Sequence, residues 1–332
     1  MGNVYCQHGM PPLTCLTCAK NVARNAVKAI TPPEFNITEI PAVMDKLQGV
    51  QGALFMRRWF DSPAYELPMG LKTGKIDART LDKSHIKQDL PFSWLENSKR
   101  VGPIVKSVVE ELSEVNQFNG RVGRVKQALD QLSRGMIVLM ERLEALGLLD
   151  AKKKQLRNGS MYFGDLPAIE LDYKTQFNRV DVGATLWEKA VDPLDDVYFA
   201  LGSFSIKLAA TQFQTHSNLN GFPAIQISEV AMYVRDTYDF LNEEGEDQLL
   251  GYWNKAGVIK PDPAEYLLQP KYIMRWFKMY HKVTNNHYNE HRRRTGKGGD
   301  FLVFSKVKRF PVSILLHLGS LDFDEYLARK GK

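Results

Sequence analysis

SFSIKLAATQF (residues 203–213), NLNG (218–221) and AIQISEVAMYV (224–234) are the stretch on which the fold turns. The first and third pieces alternate in side-chain type and are rich in β-branched and aromatic residues, which suit a pleated, half-buried surface. Asn218-Leu-Asn-Gly221 supplies turn residues between them, so the spacing predicts two strands joined by a turn. Further along, FLVFSKVK (301–308) reads as a strand buried on both faces at its start and wetted at its end. Residues 310–318 read as another strand, and 323–329 as a short terminal helix.

The chain before this region has a different period. Val105, Val108, Leu112 and Val115 step by three and four, and after Asn119-Gly120 the pattern resumes from Val125 through Leu129, Leu132, Met136, Leu139, Met140 and Leu143 to Leu146. That predicts one long interrupted helix or a helical hairpin across residues 101–149. Residues 43–60 form a second helical run that closes on Met56-Arg-Arg-Trp-Phe60, with Arg57 and Arg58 suited to a helix C-terminus. Thr31-Pro-Pro and Ile40-Pro break regular structure, and residues 62–100 read as irregular connection or short strands. Residues 272–285 read as a helix. Helices first and strands later predict an α+β protein, with a helical N-terminal half and an antiparallel β-rich C-terminal half. The expected divisions are a cysteine-containing segment and linker (1–42), a mainly helical region (43–160) and a basic β-rich domain (161–332).

Composition agrees with a folded chain. Of 332 residues, 44% are hydrophobic and 25% charged, the proportions of globular proteins. No run of eighteen apolar residues exists, so no transmembrane segment is expected, and the N-terminus lacks a basic-then-apolar leader. The expectation is a soluble chain, cytoplasmic in the producing cell or leaving it without a cleavable signal. The net charge of +6 is unevenly spread: residues 271–310 hold eleven Lys and Arg against Glu290 and Asp300. Such a patch attracts phosphates, acidic headgroups or an acidic partner.

Cysteines occur only at Cys6, Cys15 and Cys18, with His8 beside the first. Four soft ligands in so short a span suit one tetrahedral zinc, with Gly9, Pro11 and Pro12 allowing the reversal between the halves. A tail with free thiols, or one redox-labile Cys15–Cys18 pair, is the other reading. Neither is a disulfide-stapled secreted fold.

HYNEHRRRTGKGGD (287–300) holds the densest ionisable chemistry. Its first eight residues are polar and can be helical, while three glycines within Thr295–Gly299 require a turn. Asp300 then stands where that turn enters a strand, a place from which side chains are often presented to ligands. A solvated basic helix followed by an ordinary edge strand accounts for the same residues.

Four motifs together carry a resemblance: Met56-Arg-Arg-Trp-Phe60, Tyr233-Val-Arg-Asp-Thr-Tyr-Asp-Phe240, Leu250-Gly-Tyr-Trp-Asn254 and Gly296-Lys-Gly-Gly-Asp-Phe-Leu-Val-Phe-Ser305. The set resembles an uncharacterised bacterial domain family found near spike and PAAR proteins in type VI secretion loci, over roughly residues 43–318. The resemblance implies a role in competition between bacteria, with a spike or PAAR partner and, for a toxin, an immunity protein. It implies no mechanism. Asp236-Thr-Tyr-Asp239 also resembles the Asp-x-Tyr-Asp motif of colicin M toxins, which cleave a lipid-linked pyrophosphate precursor of the cell wall. The His-Arg pair that closely follows in that family is replaced here by Gly245-Glu246; His291-Arg292 lies far downstream and can reach the aspartates only through the fold.

These observations support an effector or effector accessory whose chemistry centres on Asp236, Tyr238, Asp239, His291, Arg292, Lys297 and Asp300. The carboxylates would activate water or hold a divalent cation, and Arg292 and Lys297 would neutralise the oxygens of an anionic, phosphate-bearing substrate such as a pyrophosphate. Pairing with Arg292 would lower the aspartate pKa values. A non-enzymatic adaptor docked on the secretion spike, and a nuclease-type toxin, are the alternatives. His287-Tyr-Asn-Glu-His291 satisfies the inverted zincin pattern, but too little chain follows to supply the third ligand and three arginines oppose a dication. Gly296-Lys-Gly-Gly lacks the Walker spacing.

Overall fold

The two alternating runs pair with each other and extend beyond their sequence signal, to Phe204–Leu219 and Phe222–Tyr238. Leu219 faces Phe222 across the ladder, leaving a two-residue loop of Asn220 (φ 54°) and Gly221 (φ 92°). Two left-handed residues give the turn whose twist matches that of a hairpin, which is why Asn-Gly works here. The Asn218 side chain accepts from the Gly221 amide at 2.9 Å.

The computed structural model describes residues 34–114, 132–183, 192–242, 245–260 and 279–330. Its strands are β1 (Ile86–Leu90), β2 (Leu149–Asp150), β3 (Gln155–Leu156), β4 (Gly159–Tyr162), β5 (Gln176–Val182), β6 (Phe204–Leu219), β7 (Phe222–Tyr238), β8 (Leu249–Asn254), β9 (Gly257–Ile259), β10 (His281–Thr284), β11 (Phe301–Ser305) and β12 (Lys308–His317). Its α-helices are α1 (Ile40–Lys46), α2 (Val50–Asp61), α3 (Met69–Lys72), α4 (Phe92–Glu96), α5 (Gly102–Glu114), α6 (Leu132–Ala145), α7 (Ala168–Lys174), α8 (Asp196–Leu201), α9 (Asn285–Thr295) and α10 (Ser320–Lys330).

Seven strands form one sheet around the β6–β7 hairpin. On the outer side of β6, β5 and β4 pair with successive lengths of it; on the outer side of β7, β12 and β11 do the same. Every pair is antiparallel except β1 with β11. A three-stranded sheet of β10, β8 and β9 lies apart from it. The α+β expectation holds, with helices concentrated in the N-terminal part and strands in the C-terminal part.

Strand alternation divides the core between the two faces of the sheet. Ile206, Leu208, Val230, Met232, Val234 and Val303 pack with most of the helices. Ala209, Ala231, Tyr233, Leu302 and Phe304 pack with Leu67, Leu71, Ile86 and α7 on the other face. With both faces covered, FLVFS (301–305) is buried at every position.

Several expectations are corrected. Pro41 does not break the chain but sits in the first turn of α1, where its missing amide costs nothing. The run 43–60 is two helices, because Gln48 adopts φ 64° between α1 and α2. Of the two readings of 62–100, the short strand is realised as β1, with the short helices α3 and α4 in the same span. Where a helix is expected over 272–285, His281–Thr284 is strand β10; residues 261–278 lie outside the described residues. The long helical signal is present as α5 and α6, with the Asn119-Gly120 break outside the described residues.

One close approach predicts a stability effect. α2 crosses α8 at Gly52, where an added Cβ would stand 2.5 Å from Phe199 Cβ and 2.8 Å from its carbonyl carbon. Alanine gains about 1 kcal/mol of helix propensity over glycine, but overpacking against backbone costs about 1–3 kcal/mol. Gly52→Ala is therefore expected to lower the thermal midpoint, and calorimetry showing a rise would refute this packing.

Candidate functional site

The glycine turn and α2, far apart in sequence, meet in a buried knot. Gly296 (φ 67°) ends α9 as a left-handed cap, and Gly298 (φ 110°) passes so close to Trp59 that a Cβ there would stand 2.5 Å from the indole. Gly298 and Gly299 donate to the carbonyls of Ser62 and Trp59 at 2.9 and 3.0 Å, stitching the turn onto the end of α2. Asp300 is then wholly buried. Its Oδ1 accepts from the Trp59 indole at 2.8 Å and from the Arg292 guanidinium; its Oδ2 accepts from the Leu67 amide at 3.2 Å. Arg292 also donates through Nε to the Gly298 carbonyl at 2.9 Å and pairs with Glu66 at 3.2 Å.

Burial pushes the Asp300 carboxyl up to about 6, against the pull of Arg292, Trp59 and the Leu67 amide. The expectation that Arg292 would leave a lowered pKa is thus corrected: desolvation outweighs the ion pair.

The remaining expected site residues fall into separate settings. Phe301 faces Tyr238 across the β11–β7 ladder, so Asp300 and Asp239 do stand at adjoining strand ends. Asp239 is claimed by Lys72 at 3.0 Å and by the Leu241 amide at 3.1 Å. Asp236 lies within β7 rather than past it, and alternation turns it toward the helix-packed face beside Val303. Burial pushes its carboxyl up to about 8, with Asp239 adding to the rise and the Thr237 amide, Lys72 and Arg235 opposing it. Tyr238 stacks on Phe301 at 5.0 Å, its hydroxyl directed to the Met56 sulfur at 3.5 Å, and burial raises its pKa. His291 packs edge-on against Phe60 at 5.0 Å; burial, then Arg294 and Lys297, lower its pKa and favour the neutral ring. Lys297 is exposed. Arg292 and Asp300 thus form a closed structural knot with Trp59, which the sequence places on a helix end: its indole donates to Asp300 and its ring lies 5.4 Å from the Arg292 guanidinium.

Among the described residues, no group of three or more His, Cys, Asp or Glu side chains is placed to hold a metal ion. His287 Nδ1 accepts from the Thr284 amide at 3.1 Å and caps α9, which gives that histidine a structural task. Cys6, His8, Cys15 and Cys18 lie outside the described residues. No described helix is long and apolar enough to cross a membrane.

An open cleft of about 260 Å³ lies instead where β5, β6 and β7 come together with the end of α3. Its walls carry Lys72, Arg179, Lys207 and Arg235 against Asp181 and Asp236, with Thr73, Ser203, Ser205 and Thr237 supplying hydroxyls. The register explains the concentration of charge. Arg179, Lys207 and Tyr233 stand in one cross-strand row, and Asp181, Ser205 and Arg235 in the next on the same face. Like charges directly opposite in a sheet repel unless something neutralises them.

The available acids are already engaged. Asp172 meets Arg235 Nε at 3.1 Å and the Tyr233 hydroxyl at 3.0 Å; Asp181 meets Arg179 at 3.4 Å and the Ser205 hydroxyl at 2.5 Å. Lys207 has no hydrogen bond or ion pair with any described residue, and burial lowers its pKa although Asp172 pulls the other way. Sequence reading missed this group. The available signal was a lysine between Ile206 and Leu208 and an arginine after Val234, charges inside runs otherwise bound for the core.

No curated protein and no solved structure matches the chain. Residues 35–318 match the model of DUF6402, a family of unknown function, and the chain belongs to that family.

Proposed function

We propose that the cleft around Lys207 binds a small anionic, phosphate-bearing ligand, and that the protein serves bacterial competition as a type VI-associated effector accessory or effector. The observation that carries the first part is the convergence of four cationic side chains on one cleft, three of them paired with neighbouring acids and Lys207 with no ion pair among the described residues. An anion there would relieve the repulsion between Arg179 and Lys207 and supply the partner that Lys207 lacks among the described residues. The resemblance of the four motifs supports the second part. Binding without turnover is favoured over pyrophosphate hydrolysis, since Arg292, Asp300, Tyr238 and Asp239 are engaged in holding the fold.

Titration with pyrophosphate at low salt, followed by calorimetry, tests the ligand class. A charge-assisted hydrogen bond contributes about 1.5–3 kcal/mol, so Lys207→Met is expected to weaken binding by about tenfold or more while keeping the aliphatic stem. Equal affinity in the variant, or no saturable binding to the native chain, would refute the assignment. The setting is tested by gene neighbourhood: an adjacent larger toxin gene supports the accessory reading, and a small adjacent membrane or periplasmic gene an effector with an immunity protein.

A further inference from the structure

Away from the cleft, the turn end of the central hairpin sets two histidines in one row. His216 on β6 and His317 on β12 both face Ala224 on β7, one from each side. The next row on the same face is Gln214, Gln226 and Leu315, with both glutamines exposed. Ala224 nevertheless has no exposed surface, so its neighbours lie over it. Phe222, two positions back, meets the His317 ring at 6.0 Å and closes the row towards the turn. His216 Nε2 and His317 Nδ1 are buried, and neither has a hydrogen-bond partner among the described residues. Buried polar atoms are nearly always paired, so two orphaned ring nitrogens in one row point to a shared missing partner.

We propose that His216 and His317 hold a divalent transition-metal ion of the zinc, nickel or copper kind above Ala224. Imidazole nitrogen is a ligand that suits such ions. Neighbouring strands lie about 4.8 Å apart, so the two histidines stand on backbones about 10 Å apart. His216 reaches inward with its outer nitrogen and His317 with its inner one, and the alanine between them leaves room for metal–nitrogen bonds of about 2.0–2.1 Å. No Lys or Arg stands in this row or the next, so a dication meets no opposing charge there, unlike at His287 and His291 beside three arginines. With two ligands from the described residues, the remaining coordination positions are left to water or an external donor, as in sites that bind or activate a ligand. The site is independent of the Lys207 cleft.

The test uses the full chain with two readouts. Copper with ascorbate in air oxidises histidines that hold the metal, and peptide mass spectrometry locates them; His216 and His317 are expected to be oxidised together. Nickel titration by calorimetry gives the affinity. Losing an outer-shell partner alone costs about 10–100-fold in metal affinity, so His216→Ala and His317→Ala are each expected to weaken one nickel equivalent by at least about tenfold. Any equivalent held by Cys6, His8, Cys15 and Cys18 should be unchanged in both variants. Oxidation confined to other histidines, or nickel binding equal in the native chain and both variants, would overturn the site. An effect in one variant alone would overturn the pairing. The oxidation map needs no substitution, so it decides the matter even if a variant fails to fold.

Discussion

Asp300→Ala is expected to cost the fold about 3–5 kcal/mol, because it strands the Arg292 guanidinium in the interior without its carboxylate. Asp300 is fully buried and Arg292 nearly so, leaving water little room to take over. The same change orphans the Trp59 indole N–H and the Leu67 amide, both donors to the lost carboxylate. Arg292→Ala should be similarly damaging for the converse reason. The two losses should not add, since the second removes a charge that the first has left with only the exposed Glu66 at 3.2 Å; a double-mutant cycle in urea would measure that coupling. A loss below about 1 kcal/mol for Asp300→Ala would show that the knot is solvated. If either alanine variant fails to fold, Arg292→Lys gives a milder reading, keeping the charge but losing the fork that spans Asp300 and the Gly298 carbonyl. The pair's own pH dependence has a definite sign. The folded carboxyl titrates at about 6 against 3.8 for the free group, so between those values the native state holds more proton. Stability contributed by this group is greatest at the acidic end of that window and declines as pH rises through it.

Asp236→Asn should reverse sign with pH. The folded carboxyl is pushed up to about 8 from 3.8, mainly by burial, so the native state binds more proton than the unfolded chain across that window. Native stability then falls as pH rises from 3.8 towards 8, whereas the amide cannot ionise. Near pH 5 the variant should match the native protein or fall slightly below it. Above pH 8 it should be the more stable by upwards of about 1 kcal/mol, one pKa unit being worth about 1.4 kcal/mol. Paired urea melts at three pH values suffice, and a difference that stays flat would mean the carboxyl is solvated and ionised throughout. The result bears on function as well as folding. Burial favours the neutral form of this carboxyl, which lessens the negative charge beside the cleft.

Much of the architecture was legible because it is written in local periodicity. The hairpin at 204–238, the strands at 301–305 and 308–317 and the helices at 102–114 and 132–145 all follow from residues interacting with neighbours a few positions away. What failed locally was what lacks a period: β1 has five residues with three of them polar, and its place beside β11 is set by partners more than two hundred positions distant. The dense chemistry of 287–300 was visible for the same reason that its role was not. His, Arg and Asp look alike on a catalytic wall and in a buried ion pair, and burial separates those fates.

By itself, then, the sequence determined the α+β class, the central hairpin with its Asn-Gly turn, and the unequal distribution of charge. The tertiary structure alone decided which charges are shut inside and which line open space. It brought Trp59 against Asp300 and shut that group inside, and it lined up Arg179, Lys207 and Arg235 from three strands on one open face. The physical reason is that hydrophobic period is a property of near neighbours, whereas solvation and charge pairing depend on groups that meet only when the chain is folded.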